Sequence, residues 1–366
     1  MNIKAFKAVF PKVDLITSPS SFFSNIKYQY TEYRESGFYS PVDEPTIYVY
    51  QIKTKLSLHT GLLCCTDVDE LRKHKLLKHE KTLAAKEQQM MHLFLQRKAL
   101  VKPVLLGYKP FNGVEEELKT WAKRKKPTVK IAFPDKEEHR IWKIDDPKKV
   151  DLIIKKFKEL DKAYIGDGHH RSTTCLLLNS SKDLGEDAHK YDQLLTAYFP
   201  FNELRIWDYN RIVDIADIMP TSQFVALLSQ YFKITRSRKA IKPSRKHQVS
   251  FYIDGVWYLM EWKAKYLSKG RFPVVLDTAL INYYIFEKIL KIKDIRLDTR
   301  ISYYSGTDSL AKIVRHTHRR KAGVAICIYP VSDKELTEVA DSGQTLPPKS
   351  TWFVPRLKSG IIAKDL

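Results

Sequence analysis

The residues with the clearest chemical potential lie in one run, 166–174, which reads Gly-Asp-Gly-His-His-Arg-Ser-Thr-Thr. An apolar segment typical of a buried strand precedes the run (163–165), and an apolar segment typical of a helix follows it (175–178). A strand-to-helix corner directs unpaired backbone N–H groups and the positive end of a helix dipole to one point. That arrangement suits a phosphate group, and Gly166 and Gly168 allow a sharp turn and close approach of a ligand.

A polar helix cap is the simpler explanation of this run. Either Asp167 or Ser172 would then cap the helix, and the two histidines would merely be solvated. A cap requires only one such residue, whereas residues 167–174 contain an acid, two imidazoles, a guanidinium and three hydroxyls. We therefore predict a functional site in residues 167–174, which we call the corner motif.

A second polar cluster falls in a segment that the sequence predicts to be one long helix, about 69–98. In a helix, His79, Lys86 and either Thr82 or Leu83 would share a face, and Glu80 would lie one position round and could lean towards it. A charged, solvent-facing helix surface is the favoured explanation of this cluster taken alone. Alone, it predicts no function.

The elements around these clusters alternate between strands and helices. Residues 46–53 and 62–66 predict a hairpin with its turn at 59–61, and 129–133 with 139–144 predict another. Residues 146–160 predict an amphipathic helix that begins at Asp146-Pro147. Asp254-Gly255 predicts a tight hairpin turn in the second half of the chain. This order is typical of α/β or α+β organisation, and we expect α+β. A change of composition near 215 predicts a motif-bearing domain at 1–214 and a second α+β portion at 215–366, with one core shared by both halves as the alternative.

A third candidate lies near the end of the sequence, where prolines flank Lys349, Ser350 and Thr351. One cation and two hydroxyls in a stiff loop could hold a phosphate or a carboxylate. A purely structural, proline-stiffened loop is the alternative. The glycine-rich segment of a Walker A motif is missing here.

Composition restricts the classes of protein further. Lysine and arginine number 63 against 42 acidic residues, a formal charge of +21, which favours polyanionic partners such as nucleotides, phosphorylated metabolites or nucleic acid. A solvated basic surface accounts for the same excess. The four cysteines form neither a C-x-x-C pair nor a disulfide framework, and no apolar run approaches 18 residues. We expect a cytoplasmic protein without a membrane span, whose oligomeric state the sequence leaves open.

Six motifs also occur here in the order seen in a widespread prokaryotic family catalogued as a domain of unknown function, which the chain resembles over nearly its whole length. They are Lys78-His79-Glu80-Lys81-Thr82, His139-Arg140-Ile141-Trp142, Asp167-Gly168-His169-His170-Arg171, Asp298-Thr299-Arg300-Ile301, Ser342-Gly343 and Pro347-Pro348-Lys349-Ser350-Thr351. More distantly, the chain is similar to the ParB/sulfiredoxin fold, which includes partition proteins, sulfiredoxins and free L-serine kinases. That resemblance implies a mixed-sheet core against which the second portion packs, contributing the Pro-Pro-Lys-Ser-Thr loop.

The resemblance to the kinases also implies a function: phosphoryl transfer from ATP, ADP or pyrophosphate, with Mg²⁺, to a small hydroxyl compound, free L-serine first. It implies catalytic roles for Glu80 as the base and for Asp167, His169 and His170, with Asp167 also positioning the metal. Phosphate or nucleotide binding is implied for the residues that open the helix, namely Gly168, Arg171, Ser172 and Thr173. Binding of the substrate is implied for His79, Thr82, Lys349, Ser350 and Thr351.

Two other classes of protein compete with this hypothesis. The charge and the basic segment 235–247 would suit a ParB-like, nucleotide-dependent DNA-binding protein, but no helix-turn-helix follows the corner motif. Nucleic acid is therefore the less favoured partner. A metal-dependent hydrolase would use His169 and His170, but the sequence supplies no further metal ligands at a fixed spacing.

Overall fold

The computed structural model describes all 366 residues. Contacts between Cα atoms divide the chain into two compact units. Unit 1 comprises Met1–Arg205 and Pro355–Leu366, and unit 2 comprises Ile206–Val354. The domains predicted from the sequence, 1–214 and 215–366, stay a prediction. No helix in either unit combines the length and the apolar character needed to cross a bilayer.

Unit 1 contains most of the regular structure. Its strands up to residue 200 are β1 (Ile3–Lys4), β2 (Val9–Pro11), β3 (Tyr39–Pro41), β4 (Tyr48–Lys53), β5 (Leu58–Asp67), β6 (Leu76–Leu77), β7 (Ala99–Leu100), β8 (Val104–Tyr108), β9 (Val129–Ala132), β10 (Glu138–Lys143), β11 (Ala163–Asp167) and β12 (Gln193–Pro200). Its α-helices are α1 (Pro19–Glu35), α2 (Asp69–Arg72), α3 (Ala84–Arg97), α4 (Val114–Arg124), α5 (Pro147–Phe157) and α6 (His169–Asn179). Three 3₁₀ segments cover Val13–Leu15, Lys182–Tyr191 and Phe201–Glu203.

Nine of these strands form a mixed sheet in the order β6-β11-β8-β12-β5-β4-β10-β9, with β1 beside β5. β12 runs parallel to β8 and antiparallel to β5, and β11 runs parallel to β6 and antiparallel to β8. The central strand β5 is buried from His59 to Thr66, so it is covered on both faces. The predicted α+β class, with a mixed sheet, is confirmed.

Local sequence signals explain several elements. The predicted hairpin at 129–144 is confirmed as β9 and β10, which pair from Ala132↔Glu138 onwards. The predicted helix after Asp146 is α5, whose first backbone N–H groups donate to the Asp146 carboxylate. The burial of Ile153 and Phe157 on one face of α5 agrees with its amphipathic spacing.

The predicted helix at 69–98 is wrong in its middle third. The structure has the single turn α2, then β6, then a loop at 78–83, and only then α3. β6 pairs with β11, with Leu76 opposite Ala163 and Leu77 opposite Tyr164. Pairing with the sheet satisfies the backbone here, and tertiary pairing overrides a helical side-chain pattern. His79, Thr82 and Lys86 therefore do not share a helix face.

The first predicted hairpin exists, because β4 and β5 pair antiparallel, but its turn is not at 59–61. The turn is at 54–57, where the Thr54 N–H donates to the Ser57 carbonyl, and Gly61 lies inside β5. A Cβ at Gly61 would lie 2.8 Å from the Phe199 ring and closer still to the Tyr198 carbonyl. This glycine therefore marks a close approach of β12, not a turn.

Gly61→Ala is expected to lower the free energy of unfolding by about 3 kcal/mol, because the new methyl would overpack a central strand against backbone. Urea unfolding followed by tryptophan fluorescence measures the change. Gly37→Ala is the control: its φ is +74° and nothing lies within 4 Å of the new Cβ, so only the backbone cost of about 1 kcal/mol is expected. Equal losses in both variants would contradict the close approach.

Unit 2 is a second α+β unit. Its strands are β13 (Arg205–Trp207, which starts at the last residue before the unit), β14 (Tyr209–Asp214), β15 (Phe232–Ser237), β16 (Gln248–Ile253), β17 (Val256–Trp262), β18 (Ile301–Ser305), β19 (Gly323–Ile328) and β20 (Trp352–Val354). Its helices are α7 (Thr221–Tyr231), α8 (Asp277–Leu280), a π-helix (Ile281–Ile289), α9 (Leu310–Thr317) and α10 (Asp333–Asp341), with a 3₁₀ turn at Ala264–Tyr266.

Six of these strands form a sheet in the order β15-β17-β16-β19-β14-β18. The tight turn predicted at Asp254-Gly255 is confirmed between β16 and β17, and both residues have positive φ. α7 and the π-helix bury their apolar residues in the same core cluster as Val213 and Ile326 of the sheet. α9 contributes Ile313 to a smaller cluster with Ile212 and Ala325.

Candidate active site

The corner motif is a strand-to-helix turn, as predicted: β11 ends at Asp167 and α6 begins at His169. Gly168 joins them in the left-handed region with a φ of +109°, and no side chain caps the helix. A Cβ at Gly168 would lie 2.6 Å from Nη2 of Arg171. The backbone conformation therefore requires glycine at 168, and the guanidinium of Arg171 occupies the space beside it.

Three cations surround the Asp167 carboxylate. Its Oδ2 lies 3.0 Å from Nη2 of Arg171 and 3.1 Å from Nζ of Lys102. Its Oδ1 lies 3.8 Å from Nη2 of Arg356, which belongs to unit 1. Arg171 also donates from Nη2 to the Pro103 carbonyl, whereas its buried Nε has no hydrogen-bond partner. The cluster of Asp167, Lys102, Arg171 and Arg356, which we call the cation cluster, carries a formal excess of two positive charges.

This charge imbalance shifts the pKa of two groups in the cluster. Burial alone would raise the pKa of the Asp167 carboxyl, but Arg171, Lys102 and Arg356 outweigh it and hold the pKa well below its ordinary range. Burial, together with the like charge of Arg171, lowers the pKa of Lys102 to about 8. Asp167 is therefore ionised at neutral pH, and a further anion would stabilise the cluster.

A pair of histidines lies beside the first turn of α6. The rings of His79 and His169 meet edge to face with their centroids 4.5 Å apart, and both side chains are buried. The backbone N–H of His79 donates to Nε2 of His169 over 3.4 Å. Nδ1 of His169 lies 3.9 Å from Oε2 of Glu80, whose side chain is 50% exposed. The loop at 78–83 therefore brings Glu80 to the corner motif, although by a different local structure from the one predicted.

Both imidazoles are neutral at physiological pH. Burial lowers the pKa of His79 to about 4. Burial, with the neighbouring His79 ring, lowers the pKa of His169 well below its ordinary value. They can orient a ligand by hydrogen bonding, but they supply no charge to neutralise a phosphate.

The remaining predicted residues of the corner motif have distinct environments. The Ser172 hydroxyl is fully buried and donates to the His169 carbonyl of its own helix. The Thr173 hydroxyl accepts a 2.7 Å hydrogen bond from Nζ of Lys78. His170 has a buried Nδ1 without a hydrogen-bond partner. Burial, and to a smaller extent the charge of Lys86, lowers the pKa of His170.

The other predicted substrate-binding residues have surroundings of their own. Thr82 is partly buried in the loop at 78–83. Lys349 has a left-handed backbone, and its Nζ lies 5.2 Å from the centroid of the Tyr209 ring. The Ser350 hydroxyl is buried and contacts the Pro347 carbonyl and the Thr278 hydroxyl. Lys349, Ser350 and Thr351 belong to unit 2, whereas the corner motif belongs to unit 1.

The predicted Mg²⁺ ligand, Asp167, does not have the surroundings of a metal ligand. Mg²⁺ prefers carboxylate and water oxygens, but here three cations already contact the Asp167 oxygens. No group of three or more His, Cys, Asp or Glu side chains in the structure could hold a metal ion. The donor set at Asp167 thus fits an anion better than a divalent cation.

Sequence reasoning missed two members of the cation cluster. Lys102 precedes β8 and Arg356 follows the Pro-Pro-Lys-Ser-Thr motif, with no local pattern to mark either. Both reach Asp167 through the tertiary fold alone. Lys78 belongs to the Lys78–Thr82 motif of the sequence. Its contact with Thr173 depends on the loop at 78–83, where the sequence predicted a helix.

Several solved structures align with this chain at low similarity. A free serine kinase in complex with AMP aligns at a TM-score of 0.42 and 12% identity, over 80% of this chain and 87% of that chain. A conserved hypothetical protein from Pyrococcus furiosus aligns at a TM-score of 0.40 and 11% identity, over 83% and 94% of the two chains. A C-terminally truncated SbnI from Staphylococcus aureus aligns at 0.40 and 13% identity, over 81% and 85%.

Two comparisons of the sequence complete these findings. No curated protein matches the sequence. A family model described as "Protein of unknown function (DUF1015)" matches residues 5–279, well over half of the chain.

Proposed function

We propose that this chain, which belongs to the DUF1015 family, is a small-molecule kinase. In this proposal it transfers a phosphoryl group from a nucleotide or pyrophosphate to a small hydroxyl compound, with free L-serine as the first candidate. The observation that carries the proposal is the cation cluster, in which Lys102, Arg171 and Arg356 surround a single carboxylate at the uncapped start of α6.

The cation cluster is the proposed site of the donor phosphates. Phosphoryl transfer depends chiefly on positioning and on neutralising charge around the transferred group. Arg171 has an unused, buried Nε–H, and the first N–H groups of α6 have no acceptor within the helix. A phosphate placed here would receive hydrogen bonds from both, with the bond from Arg171 charge-assisted.

Glu80 is the proposed general base. Its carboxylate is half-exposed, so a small acceptor can reach it, and it lies at the edge of the His79–His169 pair. The neutral imidazoles would orient the acceptor hydroxyl, and Glu80 would take its proton as the acceptor oxygen bonds to phosphorus. The bond from that phosphorus to the bridging oxygen of the donor breaks in the same step, and ADP, AMP or inorganic phosphate leaves. His170, Thr82 and Thr173 remain proposed contacts of the phosphate or the acceptor. The buried Ser172 hydroxyl would have an indirect role, because it bonds within α6.

The geometry gives less support to two further predictions from the sequence, the metal and the Lys-Ser-Thr loop. Mg²⁺ stays a prediction for the reaction, but no step is assigned to it because Asp167 is held by cations. Asp167 is instead proposed to position Arg171 and Lys102. Lys349, Ser350 and Thr351 remain proposed ligands of the acceptor carboxylate or of the distal phosphate.

The test is an assay of the purified full chain with L-serine and ATP, ADP or pyrophosphate, with and without Mg²⁺. Phosphorus NMR detects O-phosphoserine directly, and a panel of other small alcohols and hydroxy acids extends the search for the acceptor. We expect one donor to give product with at least one acceptor. Absence of phosphorylated product with every donor and acceptor would overturn the proposal.

A further inference from the structure

A segment from the end of the sequence forms part of unit 1. The chain leaves unit 1 after Arg205 and returns at Pro355, and we call Pro355–Leu366 the returning segment. It ends in a short strand, β21 (Lys364–Asp365), which pairs antiparallel with β7. The Gly360 N–H donates to the Val101 carbonyl over 2.6 Å. The returning segment therefore lies along the stretch of chain that leads directly into Lys102.

Unit 1 holds the other side of the returning segment as firmly. The Tyr39 hydroxyl donates to the Gly360 carbonyl over 2.7 Å, and Val9 and Ala363 exchange two backbone hydrogen bonds. The Asp365 carboxylate accepts from the Tyr30 hydroxyl and from Nε of Arg34. Apolar side chains of the segment are also buried, namely Leu357, Ile361, Ile362 and Ala363.

Gly360 shows how close this packing is. Its φ is +77°, and a Cβ there would lie 2.8 Å from Ile26 side-chain atoms and from the Tyr39 hydroxyl. The segment is thus placed accurately relative to the sheet, which is a requirement for any element that contributes a binding residue.

The start of the returning segment carries two cations that point to two different acids. Arg356 contacts Asp167 of the cation cluster, and its side chain is 40% exposed, so the guanidinium can also reach a bound ligand. Two residues later, Nζ of Lys358 lies 3.1 Å from Oε1 of Glu137. Leu357 between them is buried, whereas Arg356 and Lys358 are partly exposed.

A buried polar chain holds the partner of Lys358 in place. Nε2 of His139 lies 2.6 Å from Oε1 of Glu137, and its Nδ1 lies 2.5 Å from the Tyr50 hydroxyl. His139 is fully buried between them. The hydrogen bond from His139 of the sheet therefore orients the Glu137 carboxylate. Glu137 can in turn fix Lys358, and a fixed Lys358 restricts the position of Arg356.

We propose that the returning segment is a functional element of the anion site, in which Arg356 binds the ligand directly and Lys358, held by Glu137, is a positioning residue. This inference rests on the proposed function, because the anion is taken to be the phosphoryl donor. The same segment supports the chain before Lys102 and Pro103, so it shapes three of the contacts around Asp167 and Arg171. The ligand chemistry that it fits is a group with at least two negative charges, such as a diphosphate.

Isothermal titration of the full chain with inorganic pyrophosphate tests this inference. Arg356→Gln is expected to weaken binding about tenfold, as for the loss of one charge-assisted contact, and Arg356→Lys to recover part of the loss. Lys358→Gln is expected to weaken binding about threefold, because the arginine is retained but less well placed. Lys364→Gln is the matched control: it removes the same charge from the same segment away from Asp167, and should leave the affinity unchanged.

The outcomes separate this inference from the proposed function. If the unsubstituted chain binds neither pyrophosphate nor a nucleotide, both fail. If it binds and Arg356→Gln binds equally well, this inference alone is overturned. Urea unfolding of each variant without ligand covers a loss of stability. If Arg356→Gln is unstable, Arg356→Lys decides, and an affinity for pyrophosphate equal to that of the unsubstituted chain would overturn the inference.

Discussion

Glu80→Gln is expected to lower kcat for phosphoryl transfer by about 10²- to 10⁴-fold while leaving the affinity for the phosphoryl donor within about twofold. The amide keeps the size of the side chain but cannot accept the proton of the attacking hydroxyl. Half of the Glu80 side chain is exposed, so its replacement should cost the folded state little. Initial rates at saturating donor and acceptor, together with titration of the donor, provide the two measurements.

Glu116→Gln is the matched control for this experiment, because Glu116 is a highly exposed acid on α4. It should retain full activity. If Glu80→Gln retains full activity as well, Glu80 is not the base. If it loses donor affinity in proportion to kcat, Glu80 contributes to binding and not to proton transfer.

Asp167→Asn is expected to change stability and anion affinity in opposite directions. Without the carboxylate, Lys102, Arg171 and Arg356 face one another with no counter-charge. We expect a loss of about 2 kcal/mol in the free energy of unfolding, below the value of about 3–5 kcal/mol for a fully buried pair because 30% of the side chain is exposed. Affinity for pyrophosphate should rise about three- to tenfold, because the ligand then replaces the missing anion.

The stability effect has a defined pH dependence. The pKa of Asp167 is lower in the folded chain than its value of about 3.9 in unfolded chains, so the carboxylate stabilises the fold above that pH. Its contribution is lost as the pH falls below about 4 towards the folded pKa. Urea unfolding at pH 7 and pH 3 should therefore show a difference between Asp167→Asn and the unsubstituted chain that shrinks in acid.

Asp151→Asn, at an exposed position of α5, controls for the loss of one negative charge and should change neither the free energy of unfolding nor the affinity for pyrophosphate.

The affinity for pyrophosphate, measured beside activity with and without Mg²⁺, also decides between two roles of Asp167. A metal-positioning Asp167 would make Asp167→Asn lose Mg²⁺-dependent activity with no gain in anion affinity. A counter-ion role predicts the gain, and a tighter pyrophosphate complex would be its signature.

The sequence alone was sufficient for elements whose signals are local. The hairpin of β9 and β10, the capped start of α5 at Asp146-Pro147 and the tight turn at Asp254-Gly255 all follow from periodicity, capping and turn chemistry over a few residues. The corner motif belongs with them, because its glycine-flanked run requires a strand-to-helix turn whatever packs around it. Such signals act between neighbours in the chain and need no partner from elsewhere.

Local signals failed where a distant strand competes for the backbone. The segment at 69–98 has a helical side-chain pattern, yet β6 forms inside it because β11 offers a parallel partner. Glycine is typical of turns, yet Gly61 lies in β5. A glycine is needed there because the carbonyl of Tyr198 and the ring of Phe199 leave no room for a side chain. In both places the deciding contact joins residues that are far apart in the sequence.

The composition of the cation cluster was likewise decided by the tertiary structure. From the sequence we predicted an acid and an arginine at Asp167 and Arg171, which are one helical turn apart. Lys102 and Arg356 come from segments that carry no motif, and they meet Asp167 only because the returning segment pairs with the chain before β8. Charge acts through space, so the electrostatic character of a site depends on folded neighbours that no local pattern can reveal.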